Sequence, residues 1–196
     1  MSTLETRPRI GVMTAAVSMG LLVGFLWLLE AVDQASGNAL DEYGIHPRSD
    51  QGLLEVFSAP FLHGSWEHLA SNSVPFFVLG VIVLLDGWRR WLAVTLTIVV
   101  ASGAAVWLLS PAGSLTLGAS GVVFGWLTYL ILRGVYTRAS GQIALGVVVF
   151  LFYGGLLWGV LPTDQLISWQ AHLGGAVGGV IAASRLRGRP TDPRWD

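Results

Sequence analysis

The chain has 196 residues, of which 53% are hydrophobic and only 12% charged, with a formal net charge of -1 and no cysteine. Soluble domains carry roughly 25% charged residues, so an ordinary water-soluble globule is excluded, as are disulfide frameworks, cysteine-held metals and thiol nucleophiles. The near-neutral charge, with its arginines at segment ends, argues against a nucleic-acid partner. The lipid bilayer is the partner the composition names. The expected fold class is all-α, one polytopic membrane domain over 1–196.

A spanning helix needs about 20 mainly apolar residues, and six runs qualify: 11–32, 66–85, 91–110, 118–135, 142–161 and 166–184. The first follows Arg7 and Arg9. It is too long for a signal-peptide core and lacks a convincing small-residue cleavage site, so it is expected to be a retained span. A long connection, 33–65, separates it from the second run, in which Pro75 removes a bond to the Ser71 carbonyl and predicts a bend. Glu30, Asp86 and Asp164 fall at span ends and read as interfacial groups. Trp27, Trp88, Trp91, Trp107 and Trp158 suit interfacial belts or lipid-facing packing.

All eleven basic residues are arginine. Arg7 and Arg9 precede span 1, Arg89 and Arg90 join spans 2 and 3, Arg133 and Arg138 join spans 4 and 5, and Arg185, Arg187, Arg189 and Arg194 follow span 6. In a six-span protein these four places share one side, and only Arg48 falls on the other, in the acidic 33–65 loop. The positive-inside rule therefore predicts cytoplasmic N- and C-termini. Spans 2, 4 and 6 then all begin at the outer face, in what suits a prokaryotic plasma membrane.

Polar groups inside spans are costly, and their default reading is functional. Here they cluster at the beginnings of those three spans: His63, His68 and Asn72; then Gly118, Ala119, Ser120 and Gly121; then Ala171, His172 and Gly175. His68 and Asn72 share one helical face. Ser120 and His172 have matched depth, as proton transfer from a serine hydroxyl to an imidazole requires. Gly121 and Gly125 form one small-residue stripe, and Ala171, Gly175 and Gly179 another. Such stripes let helix backbones approach closely in lipid, so spans 4 and 6 are expected to pack face to face. Asn72, His68 and the Ser120 backbone N–H are available donors for an oxyanion. The plainer readings are a packing serine bonded to its own helix carbonyl and a histidine in an interhelical hydrogen bond. His63 and His68 lack the spacing and flanking carboxylate of a metal site, so no metal or other cofactor is expected.

At these residues the chain resembles the rhomboid intramembrane serine proteases. The motifs are His-x4-His-x3-Asn (His63, His68, Asn72), Gly-x-Ser-Gly (Gly118, Ser120, Gly121) and Ala-His-x-x-Gly with a further glycine (Ala171, His172, Gly175, Gly179), in this order on alternate spans. The resemblance implies a six-transmembrane-helix bundle with Ser120 as nucleophile and His172 as general base, a dyad without a third carboxylate. It also implies an oxyanion hole from His68, Asn72 and the Ser120 backbone within the Gly118-Ala119-Ser120 segment, and His63 holding the first loop. The implied substrate is another protein's transmembrane helix, entering between spans 2 and 5 and cut near the outer face, with the 161–168 loop as a cap. Two departures stand out. Phe124 occupies the position where the family often stacks a tyrosine on the histidine, and Leu54-Glu55 stands where a Trp-Arg pair is common in the first loop. Two other classes compete: a rhomboid-like protein that binds membrane helices without cutting them, whose known examples lose the serine or histidine, and a small channel or transporter. The apolar inner halves of spans 2, 4 and 6 weigh against a continuous pore. Substrate identity and oligomeric state are not legible in the sequence.

Overall fold

The computed structural model describes residues 10–162 and 168–186. Among them are seven α-helices: α1 (Val12–Ala35), α2 (Asp50–Glu55), α3 (Trp66–Leu84), α4 (Trp88–Leu109), α5 (Ser120–Thr137), α6 (Ser140–Tyr153) and α7 (Trp169–Arg185). A 3-10 segment, Gly154–Val160, continues α6. No strand forms among the described residues, only one isolated antiparallel bridge between Ile45 and Thr116.

Helices α1, α3, α4 and the α6 continuation Ser140–Val160 are long and apolar enough to cross a membrane, and the chain is a membrane protein. The other two long helices differ for a physical reason. α7 has 17 residues, four of them glycines that lower its apolarity without weakening its packing. α5 is enclosed, with every residue from Gly121 to Leu130 buried, so it needs no lipid-facing apolar surface.

Local chemistry sets the helix starts. Ser65 caps α3 by accepting from the His68 N–H at 3.2 Å, and Ser168 caps α7 by accepting from the Ala171 N–H at 3.3 Å. Each satisfies one of the donors left free at a helix N-terminus. Helix α5 follows Gly118, whose φ of +125° suits glycine alone.

The bundle centres on α5 and α7, and glycine makes their contact possible. A Cβ at Gly175 would collide with the Gly121 carbonyl, and one at Gly125 would lie 2.8 Å from the Gly175 oxygen. The Thr128 hydroxyl adds a bond to the Ala176 carbonyl at 2.9 Å. The expected face-to-face packing of these two helices is therefore present. A second stripe, Gly174 and Gly178, lies one residue round α7 and seats it on α4: a Cβ at Gly174 would sit 2.8 Å from the Ala101 carbonyl, and one at Gly178 2.9 Å from the Ile98 Cα. On the far side of α5, the fully buried Trp126 packs between Phe76 of α3 and Trp91 of α4, with ring centroids 4.9 and 5.8 Å apart.

Three expectations about charged and aromatic residues change. Arg133 lies inside α5 instead of in a connection, buried and paired with Asp86 after α3, so Asp86 is an ion-pair partner rather than a simple interfacial acid. Glu30 is 3% exposed and accepts from the Gln34 amide at 3.1 Å within α1. Trp107 ties α4 to the first long connection, its indole N–H donating to the Ser49 carbonyl at 2.8 Å. In that connection Leu54 is exposed, whereas Glu55 is buried and accepts from both the His46 backbone N–H and its Nδ1 at 2.9 Å. Arg48 donates to the Leu108 carbonyl at the end of α4. Arg7, Arg9, Asp164, Arg187, Arg189 and Arg194 lie outside the described residues.

Candidate active site

The N-terminal ends of α3, α5 and α7 meet at one end of the bundle. Ser120 is the first residue of α5, and His172 sits in the first turn of α7. The glycine contacts described above bring His172 Nε2 within 2.8 Å of Ser120 Oγ. The other ring nitrogen, Nδ1, lies 2.9 Å from the carbonyl oxygen of Gly159. A carbonyl only accepts, so Nδ1 carries the proton in this contact and the neutral ring offers its Nε2 lone pair to the serine hydroxyl. The tautomer suited to a base is thus dictated by a main-chain atom.

Phe124, one turn after Ser120, stacks on the imidazole with centroids 4.0 Å apart and planes 9° from parallel. The stacking face expected at this position is present without a hydroxyl. His172 is 6% exposed while Ser120 is half-buried, so the hydroxyl is the accessible member of the pair.

The donors around Ser120 are differently placed. The Gly118 N–H donates to the Ala59 carbonyl at 2.9 Å, and the Ala119 N–H to His63 Nε2 at 3.3 Å. Both of these backbone groups are therefore committed within the protein. The Ser120 N–H is the first of α5 and has no acceptor within its own helix by position. Asn72 is buried and spends one amide N–H on the His68 carbonyl at 3.1 Å, which leaves its second N–H. His68 is half-buried and lies against Gly118, where a Cβ would sit 2.9 Å from its Nε2. Glycine at 118 is thus required twice, by backbone conformation and by the ring beside it.

His63, expected to hold the first loop, holds the nucleophile's own segment through Ala119 and packs edge to face on His68 at 5.1 Å. Because Nε2 accepts, Nδ1 carries the proton and the ring is neutral. Burial, reinforced by the neighbouring His68, lowers its pKa from the usual 6.5 to about 3. Gly121, Gly175 and Gly179 lie in the α5–α7 contact, where a Cβ at Gly121 would meet Ser102 of α4 and the Ala171 carbonyl. The Ser102 hydroxyl itself donates to that carbonyl at 2.8 Å. The proposed cap, 161–168, falls largely on residues 163–167, outside those described.

Sequence reasoning missed two participants. Ser102 is an ordinary helix serine until α7 is packed against it. Gly159 acts through its main chain, and its only trace in the sequence is a glycine near the end of the fifth apolar run.

Comparison with known proteins supplies the family. The family model described as Rhomboid domain matches residues 50–189. The chain is 40% identical over 192 residues to protein Rv1337 of Mycobacterium tuberculosis, covering 94% of this chain and 80% of that one. It is 37% identical over 190 residues to protein ML1171 of Mycobacterium leprae, covering 93% and 75%. Rhomboid-like protein 11, chloroplastic, of Arabidopsis thaliana is 28% identical over 150 residues, covering 65% of this chain and 50% of its own. With more than half of its length under the domain match and the site motifs gathered at one end of an all-helical bundle, the chain belongs to the rhomboid family.

Proposed function

We propose that this protein is an intramembrane serine endopeptidase that hydrolyses peptide bonds in or near the transmembrane segments of other membrane proteins. The observation that carries the reading is the 2.8 Å contact between Ser120 Oγ and His172 Nε2, in the tautomer that lets the ring accept the hydroxyl proton. The proposed topology has six spans, formed by α1, α3, α4, α5, α6 with its continuation, and α7. They form a single domain in the plasma membrane with both termini cytoplasmic and the site toward the outer face.

Ser120 Oγ attacks the scissile carbonyl while Nε2 takes its proton, a general-base contribution of about 10²–10⁴ in rate. Negative charge collects on the carbonyl oxygen, where the Ser120 N–H, the remaining Asn72 N–H and a ring N–H of His68 are the donors within reach, each worth on the order of 10²–10³. Collapse of the tetrahedral intermediate breaks the C–N bond, and the imidazolium returns its proton to the leaving amine. Water activated by Nε2 then attacks the acyl-serine and restores the hydroxyl. The Phe124 stack and the close α5–α7 crossing keep the two groups aligned through both halves, where misplacement by about 1 Å costs on the order of 10²-fold.

The test is cleavage of a single-span substrate in liposomes by the wild type, Ser120→Ala and His172→Ala. Cleavage near one membrane boundary that is lost in both variants supports the reading. Cleavage surviving in Ser120→Ala refutes the nucleophile. A wild type that binds but never cuts a panel of such helices would instead indicate a helix-binding protein.

A further inference from the structure

The segment Gly154–Val160 leaves α6 and passes the edge of the His172 ring that faces away from Ser120. Gly159 lies near the end of this segment, among the last carbonyls of a helical stretch, which have no amide partner within it. Its oxygen is 2.9 Å from His172 Nδ1. We infer that the Gly159 main-chain carbonyl is the third member of the catalytic machinery, a positioning group that does for His172 what a carboxylate does in a Ser-His-Asp triad. The inference rests on the protease reading and deepens it.

Three features support the assignment. The first is the direction of the bond. Nδ1–H can donate only if the ring is held with Nε2 toward Ser120, so the contact selects both tautomer and ring flip. The second is charge. When Ser120 gives its proton to Nε2, the ring becomes an imidazolium and the Nδ1–H···O=C bond becomes charge-assisted, roughly twice as strong as its neutral form. The acceptor therefore binds the charged ring more tightly than the resting one, which is the difference that catalysis uses. A carbonyl has only a partial charge, so it orients the base more weakly than a carboxylate and avoids placing a full anion among the apolar residues at the end of α6.

The third feature is steric. A Cβ at residue 159 would lie 2.9 Å from Phe124 Cζ and 3.1 Å from His172 Nδ1. A side chain at 159 would crowd both rings, and glycine lets the main chain reach the ring edge while Phe124 covers the ring face. The imidazole is thus held by Ser120 at one edge and Phe124 on one face, both from α5, and by Gly159 of the α6 continuation at the other edge. The contact also makes base orientation conditional on the position of the α6 continuation.

A backbone acceptor is tested by a backbone change. Replacing Val160 by its α-hydroxy analogue in the full chain converts the Gly159 carbonyl to an ester carbonyl, a weaker acceptor. The same replacement at Leu157 alters the Leu156 carbonyl and serves as control. The readout is the rate of Ser120 labelling by a fluorophosphonate in detergent as a function of pH. The ester at 160 is expected to lower the plateau rate about tenfold and to move the acidic limb of the profile to lower pH, because the ring becomes harder to protonate. The ester at 157 should leave both within about twofold. An unmoved limb with the ester at 160 overturns the assignment, even if the rate falls. Failure of the wild type to label at Ser120 sinks the protease reading and this inference with it, whereas normal labelling with an unmoved limb removes only the inference. If the 160 ester does not fold, 15N NMR of histidine-labelled wild type decides. The signals lost in His172→Ala should show a protonated, pyrrole-type Nδ1 and a pyridine-type Nε2, and the reverse pattern overturns the proposal.

Discussion

Replacing Gly175 by alanine tests whether the close crossing of α5 and α7 sets the dyad. The added Cβ would overlap the Gly121 carbonyl, 2.8 Å from its carbon and 3.1 Å from the Gly121 Cα. Ordinary contact begins near 3.4 Å, and the atoms in the way are main chain, with no rotamer to yield. The helices must therefore separate by roughly 1 Å, at a cost of about 1–3 kcal/mol, as expected for overpacking. The same movement takes Ser120 Oγ and His172 Nε2 from 2.8 Å to beyond hydrogen-bond reach. Misplacement of that size costs on the order of 10²-fold in rate. We expect Gly175→Ala to slow fluorophosphonate labelling of Ser120 about 100-fold while the protein stays folded, as judged by thermal unfolding in detergent. Leu173→Ala, on the exposed side of the same helix, is the control and should lie within about threefold of wild type. A folded Gly175→Ala protein that labels as fast as Leu173→Ala would refute the claim that this crossing positions the dyad.

Phe124→Ala should reduce cleavage about 10- to 100-fold by freeing the His172 ring from its 4.0 Å stack, with Phe124→Tyr close to wild type in the same liposome assay. Arg133→Met removes the partner of the largely enclosed Asp86 and should destabilise the fold by about 3 kcal/mol; pairing it with Asp86→Leu should restore most of that, measured by chemical unfolding. His63 is protonated with a pKa near 6.5 when unfolded but only near 3 in the fold. The unfolded chain therefore binds more protons below pH 6.5, so this group's penalty is absent above that value and grows by about 1.4 kcal/mol per unit as pH falls toward 3. His63→Gln should flatten that slope in an unfolding series between pH 7 and 4.

The lipid-facing helices were legible because α1, α3, α4 and α6 must solve the bilayer problem by themselves, with long apolar runs. α5 and α7 also show as apolar runs, at 118–135 and 166–184, although diluted by Gly121, Gly125, Gly174, Gly175, Gly178 and Gly179, and the polar residues set among these small ones mark the site. The pairing of Ser120 with His172 could be anticipated because each leaves a side-chain signature at a matched place in its span. Asp86 and Arg133 are 47 positions apart, and each looks like an ordinary end-of-span charge until α3 and α5 are laid together. The commitment of the Ala119 N–H to His63 was hidden for a similar reason. Backbone donors look alike in sequence, and only packing decides which are used internally.

The two glycine stripes of α7 also divide the molecule by stiffness. Along the line from α4 through α7 to α5, main chain rests on main chain, and there are few torsions through which a local push could be absorbed. α6 buries only Gly146 and Val149 and meets main chain along one face only, where Gly146 and the Gly134 of α5 let the two backbones approach. α7 is thus clamped between main chains on two sides and α6 on one. Substitutions along the glycine faces of α7 should therefore shift Ser120 against His172 more than substitutions on the exposed face of α6.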